Sequence, residues 1–211
     1  MRASFFVDVS VTPGILIPLL IVVLTAIVAG VGAIPGAELT GQFVSDSAQA
    51  QGEQLNESTA ETIGSVSAFF GIAIAFGVVL LAWILYSVVF YLIARFAFGG
   101  TGSIKHTFSF TGWGFIPLLV EKFSGAIAAY YVFSGVSLPK STQAAQDAFR
   151  ELQNDPILLG SGILGLVLLV WSGAIWTVAM EQLHDISRRN VMLTVGIPVT
   201  IAFLIRLVGL L

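Results

Sequence analysis

The sequence predicts an all-α integral membrane protein with five transmembrane helices and a short amphipathic helix in the third loop. Three observations carry that prediction. Of 211 residues, 56% are hydrophobic and only 10% are charged, against roughly 25% charged in soluble domains, so there is too little polar surface to cover a water-soluble globule. Apolar runs over about residues 14–34, 64–96, 108–134, 156–180 and 191–211 match or exceed the roughly 20 residues that a helix needs to cross a bilayer. The breaks between them are rich in glycine, proline and capping residues. Residues 1–211 read as a single five-span membrane domain.

Several function classes fall away at once. A net charge of −3 with no basic stripe excludes nucleic acid as a partner. The absence of cysteine rules out a disulfide framework and a thiolate metal site. Two histidines far apart in sequence argue against a dedicated metal centre, and no cofactor is expected.

Arg2 to Thr12 places Phe5 and Phe6 beside Asp8, which suits either an interfacial turn with its aromatics at the lipid boundary or a frayed terminus. Arg2 ahead of an apolar run imitates a secretory signal, but Ile15 to Ile34 exceeds the roughly 7–15 residues of a signal core, so a retained span is expected. Pro13 and Pro18 sit at its start, where a missing N–H does little harm. Glu38 to Ser58 carries Glu38, Asp46, Glu53 and Glu57 without Lys or Arg, and its poverty in apolar residues predicts a mobile loop. Asn56-Glu57-Ser58 fits an N-glycosylation acceptor at Asn56. Ser58-Thr59-Ala60-Glu61 reads as a capping box opening the second helix. In that helix Trp83 and Tyr86 lie too deep for an interfacial belt and read as packing residues.

The stretch from Arg95 to Pro117 is the polar, glycine-rich break around which the remaining spans are arranged. Gly99, Gly100 and Gly102 are expected to end the second helix, since glycine takes left-handed angles without strain. Ser103 then offers a cap. Gly112, Gly114 and Pro117 interrupt the third span early, and Pro139 ends it. Ala144, Ala145, Ala148, Phe149 and Leu152 recur at helical spacing among polar residues, predicting an amphipathic helix lying on the outer surface. Asp155-Pro156 restarts the chain as cap and first helical residue. Pro198 marks a kink in the fifth span.

Five spans leave the termini on opposite sides. Arg2, Arg95, Lys105, Arg188 and Arg189 fall on one side, Lys140 and Arg150 on the other. That bias predicts a cytoplasmic N-terminus, glycine-rich loop and Ser187-Arg188-Arg189 turn, an outward C-terminus, and a multi-pass protein of the cell membrane.

Charge within a span marks a functional lead. Glu121 lies 13 residues past Phe108 and Arg206 lies 15 past Val191, which places both roughly 20–22 Å from the cytoplasmic face. They form a candidate intramembrane ion pair, with Lys122 as competitor for the carboxylate; the alternative has Arg206 snorkelling outward while Glu121 borders a kink. With Pro117 and Pro198, the same charges would make the midplane site of a small transporter or channel, although no inverted repeat accompanies them. Glu181 and His184 resemble half of a di-iron ligand set whose other carboxylates are missing. There is no HExxH or GxSxG motif, and Gly99-Gly100-Thr101-Gly102 lacks the Gly-Lys-Ser/Thr of a phosphate loop. No enzyme is expected.

Three motifs, in order, resemble the Yip family, multi-span membrane proteins named for interacting with Ypt/Rab GTPases. They are Phe5-Phe6 followed by Pro13 and Pro18-Leu19-Leu20; Gly99 to Phe108 with Gly112 to Pro117 behind it; and His184-Asp185-Ile186-Ser187-Arg188-Arg189. The resemblance covers nearly the whole chain. It implies a non-enzymatic membrane scaffold or adaptor that self-associates or binds a protein partner. The candidate partner-binding loops are then Arg95, Gly99, Gly100, Gly102, Lys105 and His106 in one, and His184, Ser187, Arg188 and Arg189 in the other. Eukaryotic members carry a long cytoplasmic N-terminal region, of which this chain has almost nothing; it is similar to short prokaryotic members, archaeal or bacterial.

Overall fold

Long apolar runs without water to bond their backbone must satisfy it internally, and helices do so. The computed structural model describes residues 14–50, 57–139 and 142–210, and these contain helices and no strand. In order they are α1 (Leu16–Ala50), α2 (Glu57–Leu92) continuing into a π-helical turn (Ile93–Ala97), α3 (Ile104–Trp113), α4 (Phe115–Phe133), α5 (Thr142–Gln153), α6 (Pro156–His184) and α7 (Arg188–Val208). Five stretches are long and apolar enough to cross a membrane: Leu16–Asp46, Thr62–Ala97, Phe115–Phe133, Pro156–His184 and Arg188–Val208. Arg2, Phe5, Phe6, Pro13, Asn56 and Lys140 lie outside the described residues.

The helix surfaces are those of a protein in lipid. Phe70, Ile74, Val78, Leu81 and Leu85 form an exposed stripe along α2, and only 11% of the most apolar window of that span is buried. Water would leave that stripe uncompensated, whereas hydrocarbon is its natural solvent. The chain is an all-α multi-pass membrane protein.

Its helices group into two compact units. The first comprises the described parts of Met1–Thr25, Val78–Glu121 and Leu164–Leu211. Within it, α3 and the start of α4 run antiparallel along α6. Thr107 meets His184, Thr111 meets Trp176, and Glu121 lies against Gly165. α7 runs antiparallel along the same helix, with Val199 on Gly173. Trp176 is fully buried between the rings of Tyr86, Phe90 and Phe115, at centroid distances of 4.7, 5.4 and 6.2 Å. Tyr86 is thus a packing residue, as its depth predicts. Trp83 is another, edge-on to Phe108 at 5.2 Å.

The interruption of the third span falls at Gly114. Two indoles serve the carbonyls around it: Trp176 Nε1–H donates to Thr111 O at 2.7 Å and Trp83 Nε1–H to Phe108 O at 3.1 Å. A Cβ on Gly114 would strike the Trp176 indole, and one on Gly112 would come 2.6 Å from Pro18. Glycine lets the chain break here because the space is already taken. Pro117 falls in the first turn of α4, where it removes no helical bond.

The second unit holds the described parts of Ala26–Gly77 and Lys122–Ile163. Its helices approach through small residues. A Cβ on Gly32 would come 2.9 Å from Ala126, and one on Gly71 2.8 Å from Ala37. Such contacts are typical where lipid removes the hydrophobic drive and close backbone packing replaces it. An apolar groove of about 360 Å³ is lined by Ile27, Val31, Phe123, Ala126, Ile127 and Tyr130.

The sequence-based loop over 38–58 is overturned as far as Ala50, because α1 continues through Pro35 to that residue. The reason lies elsewhere in the unit. Leu39 and Phe43, four residues apart on one helical face, pack with Leu138, Ala145, Phe149 and Leu152. Burial of that face holds a helix that composition alone does not favour. It also corrects the expectation for α5, whose apolar face is engaged by protein and not laid on lipid. The capping-box reading is partly displaced: α2 begins at Glu57, before Ser58, and the Glu61 side chain lies outside the described residues. At α6 the sequence-based cap is found, with Ile157 N–H donating to Asp155 Oδ1 at 2.7 Å.

Gly114→Ala is expected to lower stability by roughly 1–3 kcal/mol through overpacking, read as a fall in Tm in detergent micelles. Gly114→Ala/Trp176→Phe should lose less than the two changes summed, since phenylalanine vacates the indole edge. An unchanged Tm for Gly114→Ala would mean that the break is not sterically enforced.

Candidate functional site

At one end of the first unit, two chain breaks meet. One is residues 98–103 between the π turn and α3; the other is residues 185–187 between α6 and α7. Helix ends leave carbonyls and N–H groups without partners, and here each break supplies them to the other. Thr101 N–H donates to His184 O at 3.0 Å, and the Thr101 hydroxyl lies 3.5 Å from the same oxygen. Gly100 N–H donates to Ala94 O at 2.8 Å, and Arg95 Nη1 donates to Gly100 O at 2.8 Å. The π turn packs against α7, so Arg95 sits on a segment that touches both partners. Single π turns are frequent at functional sites.

His184 is the buried centre of this arrangement. Its Nε2 lies 3.1 Å from Thr107 Oγ1. The Thr107 hydroxyl also lies 3.0 Å from Ser103 O, so it bridges the start of α3 to the imidazole. Nδ1 is buried, with no partner among the described residues. It faces the glycine loop: a Cβ on Gly102 would come 2.8 Å from Nδ1, and one on Gly100 3.0 Å.

This revises the role of the glycines. Gly99 has φ +69° and turns the chain as expected. Gly100 and Gly102 have no left-handed angle; they are glycine because the imidazole occupies the space of a side chain. On the other side of the site, Asp185 takes φ 51°, a left-handed angle that aspartate tolerates better than most residues.

Both outgoing helices start with a serine cap: His106 N–H donates to Ser103 Oγ and Asn190 N–H to Ser187 Oγ, each at 3.4 Å. Lys105 lies in the first turn of α3, and Arg188 and Arg189 in that of α7, all exposed. Neither first turn has an acidic residue. His106 is half-buried beside Lys105. The structure thus brings Arg95, Gly99, Gly100, Gly102 and His184 into one bonded cluster and places Lys105, His106, Ser187, Arg188 and Arg189 on the helix starts that leave it. Thr107, Thr111 and Trp176 escaped sequence reasoning. Their only signal is two threonines four apart in the sequence, on the same side of α3.

Residues 2–210 match the Yip1 domain. The chain belongs to the Yip1 domain family. No curated protein and no solved structure matches it. In this Yip1-domain chain the glycine loop and the His184–Arg189 turn, far apart in sequence, form one structural feature.

A second polar feature lies inside the spans. Arg206 Nη1 donates to Glu121 Oε2 at 2.8 Å. The Glu121 side chain is 13% exposed and that of Arg206 34%, so the pair is half-shielded. Gly165 makes room for it, since a Cβ there would come 3.2 Å from Glu121 Cγ. Lys122 follows Glu121 on α4 and is half-buried. Glu181 and His184 face no further ligands: among the described residues no group of three or more His, Cys, Asp or Glu could hold a metal.

Glu121→Gln and Arg206→Gln are expected to lose stability non-additively, with a coupling energy on the order of 1 kcal/mol, read from melting of both single variants and the double. Strict additivity would mean that the contact contributes nothing.

Proposed function

We propose that this Yip1-domain protein is a non-enzymatic membrane scaffold or adaptor, working through a rigid platform built from residues 95–107 and 181–190. The observation that supports this reading most is the docking of the glycine loop onto His184. It converts two connecting loops into one fixed surface, and a fixed surface loses less entropy on binding than mobile loops do. The platform faces the cytoplasm on the count of Lys and Arg, with Arg95, Lys105, Arg188 and Arg189 on it. In this reading Glu121 and Arg206 tie the third span to the last and move no solute. The platform recruits a protein partner or a second copy, or organises the adjacent membrane.

Photo-crosslinking groups at Lys105 and at Arg188, in native membranes, test this. One defined protein captured from both positions is the expected result. Flux of an ion or solute in proteoliposomes that Glu121→Gln abolishes would replace the scaffold with a transporter.

A further inference from the structure

The charges on the platform are placed against the usual rule. A helix N-terminus carries a partial positive charge and favours Asp or Glu in its first turn. α3 and α7 instead place Lys105, Arg188 and Arg189 there, with no acidic residue in either first turn. The capping serines engage only His106 N–H and Asn190 N–H, so the N–H groups of Ile104, Lys105, Arg188 and Arg189 gain nothing from them. None of Arg95, Lys105, Arg188 and Arg189 has a carboxylate within ion-pair distance among the described residues. Asp185, exposed in the turn between α6 and α7, is the nearest carboxylate in sequence to the two arginines. Both helix starts adjoin the same contact: Ser103 is two residues from Thr101, and Ser187 is three from His184, the two residues joined by the backbone bond. Phe96, 78% exposed, lies next to Arg95 on the π turn.

We infer that this surface binds the phosphate of anionic lipid headgroups in the adjoining leaflet. Two positive helix ends and four cations make a site for a negative charge, which no carboxylate among the described residues provides. The surface lies where spans Thr62–Ala97 and Pro156–His184 end and Arg188–Val208 begins, the level at which a bilayer carries its phosphates. Phe96 adds an exposed apolar ring that can enter the acyl chains just beneath that level. The inference rests on the platform reading and adds anionic lipid to what the platform binds.

The full chain, purified in neutral detergent, would be offered phosphatidylglycerol or phosphatidylcholine, and the lipid retained counted by native mass spectrometry. Each cation near an anionic surface contributes roughly fivefold in affinity. Lys105→Gln/Arg188→Gln/Arg189→Gln should therefore reduce the preference for phosphatidylglycerol by at least about tenfold, while Arg150→Gln on α5 leaves it unchanged. In phosphatidylcholine alone the triple variant should melt no lower than the wild type, because its change removes repulsion between cations and helix ends. If the triple variant does not fold, Lys105→Gln and Arg189→Gln singly should each lower the preference about fivefold. Equal retention of both lipids by the wild type, or a preference that survives these substitutions, overturns the inference. So does loss of the retained phosphatidylglycerol to millimolar inorganic phosphate, which assigns the site to a soluble anion, or its displacement by a polyglutamate peptide at lower concentration, which assigns it to an acidic protein. Crosslinking of a defined protein at Lys105 and Arg188 stands or falls separately from lipid selectivity.

Discussion

The constraint on which the first unit depends is that polar backbone at a break between spans must find partners within the protein. His184 meets it with its carbonyl, which is left over at the end of α6 and receives Thr101 N–H, while its ring bonds the Thr107 hydroxyl at the start of α3. One residue thus closes the end of one helix and anchors the beginning of another. The glycines follow from this, since an imidazole fits against the loop only if positions 100 and 102 carry no side chain. Arg95 completes the closure by covering Gly100 O. Remove the imidazole, and Thr107 Oγ1 loses its contact with α6, whereas Thr101 N–H keeps the backbone carbonyl.

The same requirement shapes the break within the third span. A helix interrupted inside a membrane exposes carbonyls that water does not reach, and each one left bare costs several kcal/mol. Here Thr111 O accepts from Gly114 N–H, and Trp176 and Trp83 add their indole N–H groups at Thr111 O and Phe108 O. Tryptophan combines a donor with a large apolar body, so it reaches a carbonyl without bringing a charge or an unsatisfied acceptor into the span. Trp176 also fills the volume between Tyr86, Phe90 and Phe115. The break is therefore a packed element of the fold.

How much of this was legible in the sequence depends on how local each cause is. The five apolar runs, the Ser103 and Asp155 caps and the turn at Gly99 rest on neighbours in the chain, and sequence reasoning finds them. The helix through residues 38–50 was missed because its cause is remote: Leu39 and Phe43 gain their burial from Leu138, Ala145 and Leu152. Gly100 and Gly102 look like further helix terminators, and only the position of His184 separates room from backbone angle. For Glu121 and Arg206, residue spacing states depth but not azimuth. Whether two side chains at one level face each other is decided by helix rotation, here around Gly165.

The platform also departs from local preference more than once within a few residues. Asp185 holds a left-handed angle, at about 1 kcal/mol. His184 Nδ1 is buried without a partner among the described residues, at roughly 1–3 kcal/mol. Three cations occupy helix N-termini, where the dipole disfavours them by a few tenths to about 1 kcal/mol each. Elsewhere the caps agree with the rules, as Asp155 does at α6. A fold held by about 5–15 kcal/mol does not gain stability from such choices, and sequence preferences tend to fail where function is served. In a Yip1-domain chain these departures fall on the surface formed by the glycine loop and the His184–Arg189 turn. Stability alone would place aspartate or glutamate in the first turns of α3 and α7, and neither holds one.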